Sequence, residues 1–186
     1  MLYIVETGFD DKANEAAFNE WYDGVKTDQL LSIPGFNATQ RFRACDDGPV
    51  PYLAIHSVSG PELFSSAAYT AGGGGTVDRW EEAMKRGGWT RRLFDGVVYM
   101  PAVPMTRRLV MIDGGPDTAP RLTAPILWLD GLDWHGATSY DGAKALDSSV
   151  PRRGFAVVAP DVADNSLPHT AGVRAFRPIT AWRKNA

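Results

Sequence analysis

The chain has 186 residues, of which 44% are hydrophobic and 22% charged, which is the composition of an ordinary globular domain. Its formal net charge is −3 and its arginine pairs are isolated, so we expect no nucleic-acid partner. No apolar run approaches the roughly 18 residues of a membrane helix. The apolar run at the start of the sequence is too short, and is followed too soon by polar residues, for a signal peptide. We therefore expect a cytoplasmic protein with no membrane partner.

The first hundred residues predict strands and helices in the order β-α-β-β-α-β. Short runs of β-branched and aromatic residues favour the strands, and apolar residues at helical spacing favour the helices. Pro34 and Gly35 end the first helix, because neither residue continues it. The predicted strands cover residues 2–7, 37–44, 52–58 and 96–102, and the predicted helices cover residues 13–31, 62–69 and 77–86.

The organisation of the chain is predicted to change near residue 105. Residues 1–105 supply a ferredoxin-like α+β domain, whereas residues 106–186 form a C-terminal extension or a degenerate second repeat of that unit. The second part predicts strands over residues 108–112, 126–130, 155–158 and 172–182, with helices over residues 137–146 and 162–165.

Metal and cofactor motifs are missing from the sequence. Cys45 is the single cysteine, which excludes an internal disulfide and a cysteine-based metal cluster. His56, His135 and His169 are far apart and show no metal-ligand spacing. The four glycines of residues 72–75 lack the ending of a phosphate loop and predict a flexible linker or a flap over a site. We expect no metal and no cofactor.

Four short runs together resemble the EthD-like branch of the dimeric α+β barrel superfamily. They are FNEWYD (18–23), LLSIPGF (30–36), RFR (41–43) and YLAI (52–55). The resemblance implies a ferredoxin-like βαββαβ fold whose sheet packs against a second subunit or repeat to form a barrel, and we favour a homodimer. The superfamily includes monooxygenases, isomerases, dehydratases and lyases. Relatives usually carry a histidine at the position of Lys26, so that histidine's role does not carry over.

Alternation along the third strand predicts where a general acid–base group lies. Leu53 and Ile55 are predicted to face the helices, so Tyr52, Ala54 and His56 point into the barrel. His56 is then the best-placed histidine for proton transfer, because its ordinary pKa is near neutrality. The alternative is a core or interface histidine that only forms hydrogen bonds.

The second strand predicts an anion-binding pair. If Phe42 contacts the helices, Arg41 and Arg43 both face the barrel and bind a carboxylate through paired hydrogen bonds. The alternative is a solvated face with ion pairs at its rim. Tyr3 on the first strand joins the same cavity.

The remaining candidate site residues lie outside the first three strands. Lys26, Trp89 and Tyr99 are counted among the substrate-binding residues, the last two because they flank the predicted fourth strand. His135 and His169 lie in loop-like stretches, where functional residues concentrate, and they are the other candidate catalytic residues.

These observations predict a cofactor-independent isomerase of the double-bond or keto–enol type. Its substrate is a small acidic compound, aromatic-derived or muconate-like, which arginines anchor while a histidine moves the proton. Two alternatives stay open: a cofactor-free oxygenase or lyase in the same cavity, and a non-catalytic small-molecule-binding protein.

Overall fold

The computed structural model describes residues 1–133, 149–165 and 172–185. The helix predicted over residues 137–146 lies outside these ranges. The strands are β1 (Leu2–Thr7), β2 (Phe36–Ala44), β3 (Tyr52–Val58), β4 (Trp89–Asp95), β5 (Arg108–Asp113), β6 (Leu127–Gly131), β7 (Arg152–Val158), β8 (Val173–Pro178) and β9 (Arg183–Lys184). The α-helices are α1 (Glu15–Trp21), α2 (Thr27–Ser32), α3 (Ala67–Ala71), α4 (Glu81–Gly87) and α5 (Pro160–Asn165). Every helix in these ranges is too short or too polar to span a bilayer.

Strand β2 closes the sheet into a barrel, because it pairs with β3 on one side and with β8 on the other. The closed order is β2-β3-β1-β4-β6-β7-β5-β8, and every pairing is antiparallel. The short strand β9 also pairs with β2. The predicted α+β barrel architecture is confirmed.

The second half of the chain repeats the strand order of the first. In the first half the order is β2-β3-β1-β4, and in the second half β6-β7-β5-β8 follows the same pattern. This repetition supports the proposal that residues 106–186 form a degenerate second repeat. The barrel closes within one chain, so closure requires no second subunit, and the homodimer stays a prediction.

The interior of the barrel is filled by one apolar cluster to which all eight strands of the closed sheet contribute. Side chains alternate along each strand, so every second residue enters this cluster. Its members include Leu2, Ile4, Phe42, Leu53, Ile55, Phe94, Leu109, Met111, Leu129, Phe155 and Phe176.

The predicted faces of β3 are therefore wrong. Leu53 and Ile55 lie inside the barrel. Tyr52 and Ala54 instead belong to another apolar cluster, which lies between the outer face of the sheet and the helices, and His56 shares their face. The reason is that all seven residues of β3 are buried. Both faces of the strand are covered, so the sequence lacks the polar–apolar alternation that identifies an exposed face.

Residues 96–102, predicted as the last strand of the first unit, instead form a loop that closes one mouth of the barrel. Met100 and Val103 pack into the interior cluster. The Gln40 side chain holds the backbone of Val103 through bonds of 2.8 and 3.0 Å, and Ser57 Oγ accepts from the Met100 N–H at 3.1 Å. The strand itself is β4, which precedes this loop.

A cluster of charged side chains closes the other end of the barrel. Arg153 is fully buried and contacts Asp113 at 2.6 Å and Glu6 at 2.9 Å. Glu6 also contacts Arg92 at 2.5 Å. Two guanidinium groups and two carboxylates thus balance one another where water has little access, so the loss of one partner would leave a buried charge uncompensated.

Replacing Arg153 with methionine tests this cluster. Glu6 and Asp113 would lose their shared partner, and we expect the free energy of unfolding to fall by about 3 to 5 kcal/mol. Urea unfolding at neutral pH measures this value. The matched control is Arg152→Met, which removes an exposed arginine next in sequence and should leave the unfolding midpoint nearly unchanged. Equal effects of the two variants would contradict the assignment.

Candidate functional site

A small cavity lies between the helices and the outer face of β1, β3 and β4. Its lining includes Tyr3, Tyr22, Lys26, His56, Trp89 and Arg91. The volume is about 20 Å³, which is room for about one water molecule. Four residues predicted as site residues from the sequence (Tyr3, Lys26, His56 and Trp89) therefore meet at one place, on the helix side of the sheet rather than in the barrel.

His56 is held at the wall of this cavity by aromatic rings and by one hydrogen bond. Its ring stacks on Tyr3, with centroids 5.5 Å apart, and meets the edge of Phe36 at 5.7 Å. Nδ1 lies 2.8 Å from Thr39 Oγ1. The opposite nitrogen, Nε2, is buried and has no hydrogen-bond partner among the residues that the structure describes.

Burial keeps the His56 imidazole neutral. Desolvation, with smaller contributions from the charges of Lys26 and Arg41, lowers its pKa to about 3. When Nδ1 donates its proton to Thr39, Nε2 carries a lone pair and accepts a proton or a hydrogen bond. The arrangement therefore presents an unpaired base to a cavity lined mostly by apolar and aromatic side chains.

Arg91 supplies a positive charge to the same cavity. Burial opposes that charge, but interactions with Tyr3 and Tyr69 outweigh it, and the pKa of Arg91 rises above its ordinary value. For Tyr3, burial disfavours the charged phenolate and raises the pKa, so the phenol stays protonated. Arg91 is not among the site residues that the sequence predicts. The available signal was its spacing of two from Trp89, which places both on one face of a strand.

Lys26 holds the glycine run against the cavity. A π-helical segment, Tyr22–Lys26, joins α1 to α2 and turns Lys26 inward. Its Nζ donates to the carbonyl oxygens of Gly73, Gly74 and Thr76 at 2.9, 3.1 and 2.6 Å. Burial lowers the pKa of Lys26 to about 8. Its protons are committed to the backbone, so the geometry gives Lys26 a positioning role.

Glycine is required at position 74 by a close approach. A Cβ there would lie 2.2 Å from the ring of Tyr69, which is buried. Gly74 and Gly75 also line the cavity. The flap interpretation of the glycine run therefore describes its position better than the linker interpretation.

Arg41 and Arg43 do not face the barrel, because Phe42 between them does. Arg41 is buried under α1, where it pairs with Asp23, donates to Asn19 Oδ1 at 3.0 Å and lies 4.1 Å from the centre of the Tyr22 ring. Arg43 is exposed and lies over Tyr52 at 5.7 Å. Neither lines the His56 cavity.

The other predicted site residues lie elsewhere. Tyr99 is 46% exposed on the loop that closes the barrel mouth, away from His56. His135 and His169 lie outside the described residues. Within the part of the chain that the structure describes, no group of three or more histidine, cysteine or acidic side chains is arranged to hold a metal ion.

An antiparallel barrel of two ferredoxin-like halves with helices over its outer face has the dimeric α+β barrel fold. An anthrone oxidase-like protein has a similar solved structure, with a TM-score of 0.56 and 9% identity, covering 100% of this chain and 93% of the other. A chlorite dismutase-like protein gives a TM-score of 0.48 and 11% identity, covering 96% and 94%. No protein-family model and no curated protein matches the sequence. The EthD-like branch stays a prediction.

The protonation state of His56 is a testable consequence of its burial in this site. The folded protein should bind a proton on His56 only near pH 3, whereas the unfolded chain binds one near pH 6.5. The unfolded state thus holds more protons between these values, and stability should fall as pH falls from 6.5 towards 3. NMR of the imidazole, assigned with His56→Gln, should show no titration between pH 8 and 5. A midpoint near 6.5 would contradict the buried, neutral assignment.

The Lys26 contacts generate a second prediction. Lys26→Met removes three charge-assisted hydrogen bonds, each worth about 1.5–3 kcal/mol. The amides of residues 73–76 should therefore exchange with deuterium at least about tenfold faster. Lys12→Met is the control, since Lys12 is exposed and pairs with Glu15 three residues along the chain. Unchanged exchange in Lys26→Met would show that other contacts hold the glycine run.

Proposed function

We propose that this protein is an enzyme in which His56 removes a proton from a small, planar, enolisable compound. The single observation that carries the proposal is the neutral, fully buried imidazole at the wall of the cavity, whose Nε2 has no hydrogen-bond partner within the described ranges of the chain. A buried polar nitrogen without a partner is costly, and a substrate proton would satisfy it.

The chemistry follows from the charges around the cavity. Proton transfer from carbon to Nε2 creates an imidazolium beside an enolate, and each stabilises the other in a water-poor site. Arg91 supports the enolate or carboxylate oxygen of the substrate. The low pKa of His56 keeps the imidazole unprotonated throughout the physiological pH range, and the negative charge that develops on the substrate raises the basicity of Nε2 as the proton moves.

Two outcomes for the enolate distinguish the candidate reactions. Return of the proton to a different carbon or to oxygen completes a double-bond or keto–enol isomerisation, which needs no cofactor. In the second candidate, molecular oxygen oxidises the enolate, and a ring CH2 becomes a carbonyl with loss of water. The anthrone oxidase-like fold neighbour motivates the second candidate, because an anthrone is an enolisable aromatic ketone.

Entry of a substrate requires movement of the glycine run. The closed cavity of about 20 Å³ admits about one water molecule and no aromatic ring. Residues 73–76 cover it and are attached mainly through Lys26. We therefore propose that substrate binding opens this segment and that closure excludes water from the reacting atoms.

Proton exchange in D₂O tests the step that both reactions share. We expect deuterium to enter the acidic carbon of a substrate from a panel of aromatic ketones and dienoic acids, followed by NMR. His56→Gln should slow this exchange by about 10²–10⁴-fold, whereas Arg121→Gln, an exposed arginine between β5 and β6, should not. The exchange rate of the unmodified protein should also not decline as the pH falls through 6.5.

The same panel separates the alternatives. Oxygen consumption in step with substrate loss would indicate the oxygenase, and its absence with a rearranged product would indicate the isomerase. Exchange that survives His56→Gln would refute the proposed base. Binding of a panel compound without exchange would favour the non-catalytic binding protein.

A further inference from the structure

A second cleft lies on the outside of the barrel, separate from the His56 cavity. It occurs where the outer faces of β2, β8 and β5 meet the turn after β2 and the residues that follow β1. Its volume is about 860 Å³, and it shares no described lining residue with the His56 cavity. Three arginines from three neighbouring strands line it, and we call them the arginine row: Arg43, Arg177 and Arg108.

Strand register places the arginine row side by side. Arg43 pairs directly with Arg177. Leu109 of β5 pairs with Phe176 of the antiparallel strand β8, so one residue further along this register Arg108 lies beside Arg177. Phe176 and Leu109 are inside the barrel, so the arginines alternate to the outer face. Strands are spaced by about 4.8 Å, which makes the row about 10 Å wide.

Acidic side chains among the described residues compensate the arginine row only weakly: Arg43 makes the smallest of the contributions that lower the pKa of Glu15, which itself pairs with Lys12. No ion pair joins any of the three to a carboxylate among the described residues, and like charges opposite one another destabilise a sheet. Nearby acids are already engaged: Asp46 pairs with Arg174 at 2.8 Å, and Asp10 with Arg86 at 3.0 Å. Only Asp47 remains among the acids of the described lining.

Arg108 adds an independent indication of a ligand. Its Nε is buried and has no hydrogen-bond partner in the part of the chain that the structure describes. A guanidinium N–H in that position needs an acceptor. Because this Nε is buried, an anion in the cleft reaches it only once the Arg108 side chain turns, whereas charge compensation acts on the guanidinium as a whole.

We propose that the arginine row binds a small polyanion with at least two anionic groups, such as a phosphate chain or a tricarboxylate. Each guanidinium presents a planar fork that matches phosphate or carboxylate oxygens in pairs. A row about 10 Å wide engages a ligand that carries several anionic groups more fully than it engages a single small anion. This ligand is additional to the compound that His56 acts on, and the two sites can fail independently.

Calorimetry with tripolyphosphate and with citrate at 0.15 M salt tests the proposal and distinguishes the two ligand sources. We expect micromolar binding of at least one probe and little heat with acetate. Arg177→Gln, at the centre of the arginine row, should weaken binding at least tenfold. Arg121→Gln removes the same charge from an exposed position outside the described lining and should change affinity less than twofold.

Thermal unfolding keeps the test independent of folding defects. Without a probe, Arg177→Gln should unfold at an equal or higher temperature, because it relieves repulsion between neighbouring arginines. With the probe, wild type should gain stability and Arg177→Gln should not. The proposal is refuted if wild type binds neither probe, if Arg177→Gln binds as well as wild type, or if both arginine variants lose affinity equally.

Discussion

The pairing of β2 with both β3 and β8 is the constraint on which the rest of the structure depends. It closes the sheet, so no edge of the eight-stranded circle is left unpaired, and it encloses an interior that apolar side chains fill. The Gln40-held loop closes one mouth, and the Glu6–Arg153–Asp113 cluster closes the other. The remaining face of the first four strands lies under the helices, and the polar residues of the candidate site are found there.

Local sequence was sufficient for the first three strands, which the structure places within about a residue of their predicted limits. These runs are rich in β-branched and aromatic residues whatever they pack against. The fourth strand was predicted at residues 96–102, where GVVYMPA is apolar, whereas the structure places it at Trp89–Asp95, a segment that carries Arg91 and Arg92. Their partners, Tyr3 and Glu6, are distant in sequence, so the pattern within residues 89–95 could not reveal them.

The membership of the candidate site was easier to predict than its location. Tyr3, His56 and Trp89 were selected for their positions on or beside predicted strands, and cross-strand register brings Tyr3 directly opposite His56. The face on which they meet depends on which side of β3 the helices cover. Because both sides of β3 are buried, its sequence is compatible with helices on either face. The long-range packing of the helices and of the second half of the chain determines which face they cover.

The outer face of β2 places Arg41 and Arg43 in different surroundings, since the first is buried and the second exposed. Successive residues on that face are about 6.7 Å apart, and they move from beneath the helices towards solvent. Thr39 is buried and bonds to His56. Arg41 is buried and joins the sheet to α1 through Asn19 and to the π-helical segment through Asp23. Arg43 is exposed in the second cleft. Along one face of a single strand, side chains thus lie in turn beside His56, beneath the helices and in the second cleft. The change of role along it follows from how far each position lies from the helices.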